Sequence, residues 1–319
     1  MKTVSLSLTV CVALVASLFP ITTEVASAAH VKLEATKASY TYDDPALGAT
    51  VNLYCRLKAG GKTLSASGSG VIISERGVIL TNAHVAQFFL LGREKTGLRS
   101  ECSVRTGSPA KARYTAEILY IPPAWLEDNV SKISERQPKG TGENDFALLY
   151  ITGTQNKASL PAQFPYLSAS VFATTSENAA VKIAGYPSEK LDFNQIRSKL
   201  MAMLASSTVT DTKNFDLSRQ PDVIALAPSA AASEGISGGP IVDSAGRVLG
   251  IVAIKSSAKE DLRLRGISIP YINRALYLQT RLALPSFLEG NFAEIASSTR
   301  ASISERLIRQ LESGLRRMR

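Results

Sequence analysis

One short stretch, Glu234-Gly235-Ile236-Ser237-Gly238-Gly239-Pro240, sets a single hydroxyl between glycines that allow a tight turn and a close backbone approach to a ligand. A serine hydroxyl is a weak nucleophile at neutral pH. It needs a positioned base to take its proton and hydrogen-bond donors for the oxyanion that its attack creates. The amides of Gly235 and Ser237 can both aim at one small space beside the Ser237 hydroxyl. The chain holds two histidines, His30 and His84. His30 lies near the start of the expected mature protein, where chains are loosely held. A histidine base is therefore expected to be His84, in the segment Val78-Ile79-Leu80-Thr81-Asn82-Ala83-His84-Val85.

The Ser237 stretch resembles the G-x-S-G-G-P nucleophile loop of chymotrypsin-like serine proteases. Thr81-Asn82-Ala83-His84-Val85 is similar to that family's base turn, and Asn144-Asp145-Phe146-Ala147-Leu148-Leu149-Tyr150 to the strand that opens on its orienting carboxylate. The order His84, Asp145, Ser237 is that of chymotrypsin, not of subtilisin or the α/β-hydrolases. The resemblance implies an all-β fold of two six-stranded antiparallel β-barrels with a C-terminal helix. It also implies a His84/Asp145/Ser237 triad, an oxyanion hole from the amides of Gly235 and Ser237, and no cofactor or metal. The hairpin Ser67-Gly68-Ser69-Gly70-Val71-Ile72-Ile73 and the later Gly185-Tyr186-Pro187 look like the bacterial HtrA-like branch. No segment of PDZ size follows the protease pattern, which departs from typical HtrA proteins.

Family geometry puts the base of the specificity pocket near Ala231 and Ala232, with Ala253 on its wall. None is charged, so small or medium apolar residues, rather than Arg or Lys, are expected to donate the scissile carbonyl. Trypsin-type zymogens pair a new Ile-Val-Gly-Gly-like N-terminus with an aspartate just before the serine. Here that position is Ile236, so no ammonium–carboxylate switch is expected.

The elements that must position these residues fall into four stretches. Lys2, the largely apolar run from Val4 to Phe19 and the small-x-small site Ala26-Ser27-Ala28 read as a secretory signal peptide over 1–28. The first barrel is expected over 29–160, carrying His84 and Asp145, and the second over 161–290, carrying Ser237. Residues 291–319 read as a basic amphipathic helical tail. There Ser302-Ile303-Ser304-Glu305 is a capping box, and Ile303, Leu307, Leu311 and Leu315 fall on one face. That helix either packs on the domain or contacts an anionic surface or partner. Residues 121–144 read as a polar surface insertion ahead of Asp145, on the active-site side.

Removal of Cys11 with the leader leaves Cys55 and Cys102, on strand-like segments either side of His84. In an exported chain an isolated pair is expected to be oxidised, and the resemblance suggests the family's staple there; two buried free thiols are the alternative. A formal net charge of +9 and 45% hydrophobic residues describe a globular protein. No basic run interleaved with aromatics argues for nucleic acid, and no later segment reaches the ~20 apolar residues of a membrane span. The leading expectation is an exported serine endopeptidase, periplasmic or secreted, acting on proteins or peptides. The alternatives are a non-catalytic binding protein on the same fold, and an esterase with the same triad.

Overall fold

Alternation in the first long strand is the simplest signal in the chain. Val51, Leu53, Cys55 and Leu57 all enter one buried cluster, as a period of two requires. The computed structural model describes residues 44–59, 62–91, 99–133, 141–215, 220–255 and 263–316. The expected leader over 1–28, Cys11, His30 and the stretch 134–140 of the insertion lie outside the described residues.

The first barrel is built from β1 (Thr50–Ala59), β2 (Lys62–Ile72), β3 (Val78–Thr81), β4 (Arg99–Thr106), β5 (Lys111–Tyr120) and β6 (Ala147–Thr154). It closes in the order β1-β2-β3-β6-β5-β4. The second uses β7 (Ala180–Gly185), β8 (Met203–Lys213), β9 (Val223–Leu226), β10 (Pro240–Val242), β11 (Val248–Lys255) and β12 (Leu264–Ser268). It closes as β10-β11-β12-β9-β8-β7. All pairs are antiparallel. These are the two six-stranded barrels expected from the sequence, and closure leaves no strand edge open. Cys55 on β1 stands opposite Cys102 on β4, and the two form a disulfide.

Eight helices connect and flank the barrels among the described residues: α1 (Pro45–Ala49), α2 (Ala83–Ala86), α3 (Pro123–Asn129), α4 (Phe193–Lys199), α5 (Ile269–Thr280), α6 (Leu284–Glu289), α7 (Phe292–Ser302) and α8 (Glu305–Arg316). Asp44 caps α1 by accepting from the Ala46 amide at 2.9 Å, and Pro45 opens the helix. α5 follows β12 directly, with Ser268 as its cap: the side chain accepts from the Tyr271 amide at 3.1 Å.

Three clusters hold the molecule. One fills the first barrel and one the second; the third joins them, with Leu80, Phe146 and Leu148 meeting Ala184, Tyr186, Ile251 and α5. The tail differs from the single helix expected. Ser302 ends α7, and Ser304 caps α8 instead, its Oγ accepting from the Leu307 amide at 3.3 Å. The expected apolar face is real: Ile303, Leu307, Leu311 and Leu315 are all buried in the first-barrel cluster. The Thr299 hydroxyl ties α7 to β5 by donating to the Leu119 carbonyl at 2.8 Å.

The insertion also differs from a polar surface loop. It folds into α3 and a 3-10 turn at Val130–Lys132, and Trp125, Leu126 and Ile133 are buried in the first-barrel cluster. Gly314 of α8 lies against Ile133. Amphipathic packing of the tail therefore supports the insertion as well as the barrel.

Candidate active site

β3 delivers His84. Its residues Val78 to Leu80 are fully buried, so its end is held firmly, and α2 begins immediately after it. Asn82 occupies the cap position of α2 without capping it. Its side-chain amide donates instead to the Asp145 carbonyl at 2.8 Å. The Asp145 carboxylate is buried and accepts from His84 twice: from the backbone N–H at 2.9 Å and from ring Nδ1 at 2.8 Å. A carboxylate only accepts, so Nδ1 carries the proton and Nε2 is left as the basic nitrogen.

Asp145 is aimed by the residue before it. Asn144 adopts a left-handed conformation with φ 57°, uncommon for a non-glycine residue. Two side chains of α5 hold it there. The Tyr271 hydroxyl accepts from the Asn144 amide at 2.9 Å, and Gln279 donates to the Asn144 side-chain oxygen at 2.9 Å. Tyr120 of β5 in turn donates to Gln279 at 2.7 Å. Burial pushes the Tyr271 phenol well above its ordinary range, so it stays neutral. The helix that closes the second barrel thus fixes a turn of the first.

The serine loop precedes β10. Gly235 has φ +90°, and a side chain there would strike the Ser188 hydroxyl and the Tyr186 carbonyl at 2.5 Å. Gly238, with φ +83°, lies against the Ser69 carbonyl and Thr81 hydroxyl. Both positions require glycine. Within the loop, the carbonyls that share peptide planes with the Gly235 and Ser237 amides are both occupied. The Glu234 carbonyl accepts from the Ser188 amide at 2.6 Å, and the Ile236 carbonyl from the Gly239 amide at 2.9 Å. Between them, the Gly235 carbonyl accepts from the Ser69 hydroxyl at 2.7 Å. The Ser237 carbonyl accepts from the Ser69 amide at 2.8 Å.

A trans peptide points its N–H opposite its C=O. Tying the Glu234 carbonyl to Ser188 therefore turns the Gly235 N–H the other way. Among the described residues neither the Gly235 nor the Ser237 N–H has an intramolecular acceptor, whereas the Ile236 N–H between them is taken by the Ser233 carbonyl at 3.4 Å. No hydrogen bond joins Ser237 Oγ to His84 among the described residues; such contacts are often long in a resting site and tighten with substrate.

A family model described as a trypsin-like peptidase domain matches residues 68–251, from β2 to β11. The chain belongs to the trypsin-like peptidase family. No curated protein matches it. The match includes His84, Asp145 and Ser237 and stops short of α5 to α8, so the helices that buttress the peptidase domain lie beyond it. Membership supports a serine-protease type of activity on protein or peptide substrates. No helix among the described residues is long and apolar enough to cross a membrane.

Ala231 and Ala232 are buried in the second-barrel cluster with Ile236, and Ala253 is buried on β11. Glu234, at the start of the serine loop, is half-buried. Ser69 is the residue that motif reading passes over. It is fully buried, and its hydroxyl also accepts from the Tyr186 amide at 2.9 Å, so one side chain of the first barrel binds two backbone groups of the second. A serine between two glycines in a strand is the only local signal of this role. Its partners lie 117 and 166 residues away.

Proposed function

We propose that the protein is an exported serine endopeptidase in which Ser237 is the nucleophile, His84 the general base and Asp145 its orienting carboxylate. Ser237 Oγ attacks a peptide carbonyl as His84 Nε2 takes its proton. Asp145 holds the ring by its Nδ1–H and stabilises the imidazolium. The tetrahedral intermediate collapses to an acyl-enzyme as His84 returns the proton to the leaving amine, and water then hydrolyses the ester by the same relay. The amides of Gly235 and Ser237 stabilise the oxyanion, where loss of one donor costs about 3 kcal/mol elsewhere.

The observation that carries this reading is the orientation of the serine loop. The Glu234 and Ile236 carbonyls, which share peptide planes with the Gly235 and Ser237 amides, are occupied by the Ser188 and Gly239 amides, and among the described residues the Gly235 and Ser237 amides have no acceptor. Ile236 supports activity without N-terminal processing, since its side chain is buried among apolar residues where an ion pair would otherwise be needed. The uncharged Ala231, Ala232 and Ala253 favour a small or medium apolar residue at the scissile carbonyl. The Cys55–Cys102 disulfide suits an oxidising compartment, periplasmic or extracellular.

A non-catalytic binding protein on the same fold is the second reading, favoured by the missing Ser237–His84 hydrogen bond. A fluorophosphonate probe separates the two. Labelling of the wild type, with Ser237→Ala and His84→Ala unlabelled, is the expected result. A folded wild type that takes up no probe would overturn the peptidase reading.

A further inference from the structure

Beside His84 lies a cavity of about 460 Å³. One wall is β2, through Ser65 to Ser67, and another is the start of α4, through Asp192, Phe193 and Ile196. In the peptidase reading His84 protonates the leaving amine. The cavity contains His84 but none of Ala231, Ala232 and Ala253, so it falls to the leaving half of the substrate.

The α4 wall has little apolar packing of its own. Its helix has seven residues, none of them buried, and Ile196 meets the core only as a half-buried residue. A helix of that length is marginal unless tertiary contacts hold it. At its start Asp192 and Gln195 form a capping box. At its end the last four carbonyls have no partner within the helix, and Arg105 of β4 takes two of them. Nη1 donates to the Ile196 carbonyl at 3.0 Å and Nη2 to the Arg197 carbonyl at 2.9 Å. A cation suits that end of a helix.

Arg105 is a costly residue to bury. It is 2% exposed, and its acceptors are all neutral oxygens: besides α4, the Ala110 carbonyl at 2.7 Å and Asn52 Oδ1 at 3.2 Å. The Tyr54 ring centre lies 5.1 Å from the guanidinium. Burial pulls the group below its ordinary range, though an arginine stays charged. An apolar side chain would fill the space without that penalty. Asn52 extends the link, its amide donating to the Gly68 carbonyl at 2.8 Å and the Ser67 hydroxyl at 3.0 Å on β2. The β2 and α4 walls of the cavity therefore meet at one side chain. The chain after α4 is anchored separately: the Leu200 carbonyl accepts from the Ala110 amide at 2.7 Å, and the Ser108 hydroxyl from the Ala202 amide at 3.0 Å.

We propose that Arg105 is a positioning residue that fixes α4 as a wall of a leaving-half subsite, so that substrates extended beyond the scissile bond are favoured. The inference rests on the peptidase reading and deepens it. Arg105 is not a catalytic residue; it acts through two helix carbonyls.

The test compares quenched-fluorescence peptides with an extended leaving half and aminocoumarin amides of the same acyl half, which have no leaving-half residues. Arg105→Lys keeps the charge but loses the planar fork that spans two carbonyls. It is expected to raise KM for the peptides by about 10-fold, with their kcat and the kcat/KM of the amides within about 3-fold of wild type. Hydrogen exchange read by mass spectrometry is expected to quicken by about 10-fold in α4 while β7 and β8 stay protected. A role in general stability would quicken exchange in the barrel and lower both substrates alike. Should Arg105→Lys fail to fold, Gln195→Gly softens α4 from a position outside the cavity lining, and the same KM split of about 5-fold is expected. Equal losses on both substrates, or an unchanged peptide KM in either folded variant, overturns the inference and leaves the peptidase. If the wild type cleaves neither substrate, the peptidase reading fails, and fluorescence anisotropy with a labelled leaving-half peptide decides the rest. Weaker binding to the variant keeps the role of Arg105, and equal binding or none overturns it.

Discussion

Replacing Ser69 by alanine removes one hydroxyl and strands two buried backbone groups, the Gly235 carbonyl and the Tyr186 amide. Each unsatisfied buried group costs about 1–3 kcal/mol, so the total is about 2–6 kcal/mol. The two shares are felt differently. The Tyr186 amide sits at the end of β7 and lowers stability alone. The Gly235 carbonyl shares its peptide plane with the Ile236 amide, between the Gly235 and Ser237 amides, and once released it gains by turning toward water, which rotates that plane and tilts the two on either side of it.

If the whole Gly235 share goes into that rotation, the productive loop is depopulated by about 5- to 150-fold, at about 1.4 kcal/mol per decade. The expected result for Ser69→Ala is therefore a fall in kcat of that size, with KM within about 3-fold because the substrate clefts are unchanged. Urea unfolding should show a loss of at least 1 kcal/mol with unchanged slope, which separates a destabilised fold from a disordered one. Steady-state kinetics well below the unfolding midpoint give the first number. A variant that loses stability but keeps the wild-type kcat would refute the argument, because the loop would then hold its orientation without Ser69.

Tyr271→Phe frees the Asn144 amide; loss of a bond worth about 0.5–1.5 kcal/mol should lower kcat/KM by about 2- to 12-fold, read from initial rates, while Ser237 labelling persists. Cys55→Ser opens a loop of 47 residues, and chain-entropy reasoning puts the loss near 4 kcal/mol, measurable by denaturant unfolding beside the oxidised wild type. Leu311→Ala, in the fully buried face of α8, should cost about 2–5 kcal/mol in the same assay. Burial acts to raise the Asp44 carboxyl, but Lys182 and the Ala46 amide outweigh it and leave it below the ordinary range. Its contribution is thus present above the unfolded value and lost as pH falls through the depressed folded value, so Asp44→Asn should lower the Tm at pH 7 and converge on wild type as the carboxyl becomes protonated in both states.

Much of this protein was legible locally. Period-two alternation in β1, the glycines around Ser237 and the apolar residues at spacing four in α8 each reflect forces acting within a few residues, and each corresponds to a local element of the structure. His84 was reached by counting, and Ile236 by its place in a motif. The insertion was read as a polar surface loop because its apolar residues, Trp125, Leu126 and Ile133, follow no sustained period. Their burial depends on a helix whose first residue lies more than 170 positions later. The cap of α8 moved from Ser302 to Ser304 because α7 ran on through Ser302, a competition that a local pattern does not resolve.

The chain by itself pointed to the groups proposed to carry the chemistry, since residue type and near-neighbour geometry set what a serine, a histidine or a glycine can do. Tertiary structure alone decided how they are held. Ser69 and Ser188 reach the serine loop, Tyr271 and Gln279 reach Asn144, and Gln87, Trp125 and Asp192 meet around one cavity only because two barrels close against each other. Those partners are far apart in sequence. Hydrogen bonds are short, and a contact created by chain closure leaves no periodicity along the chain to be read.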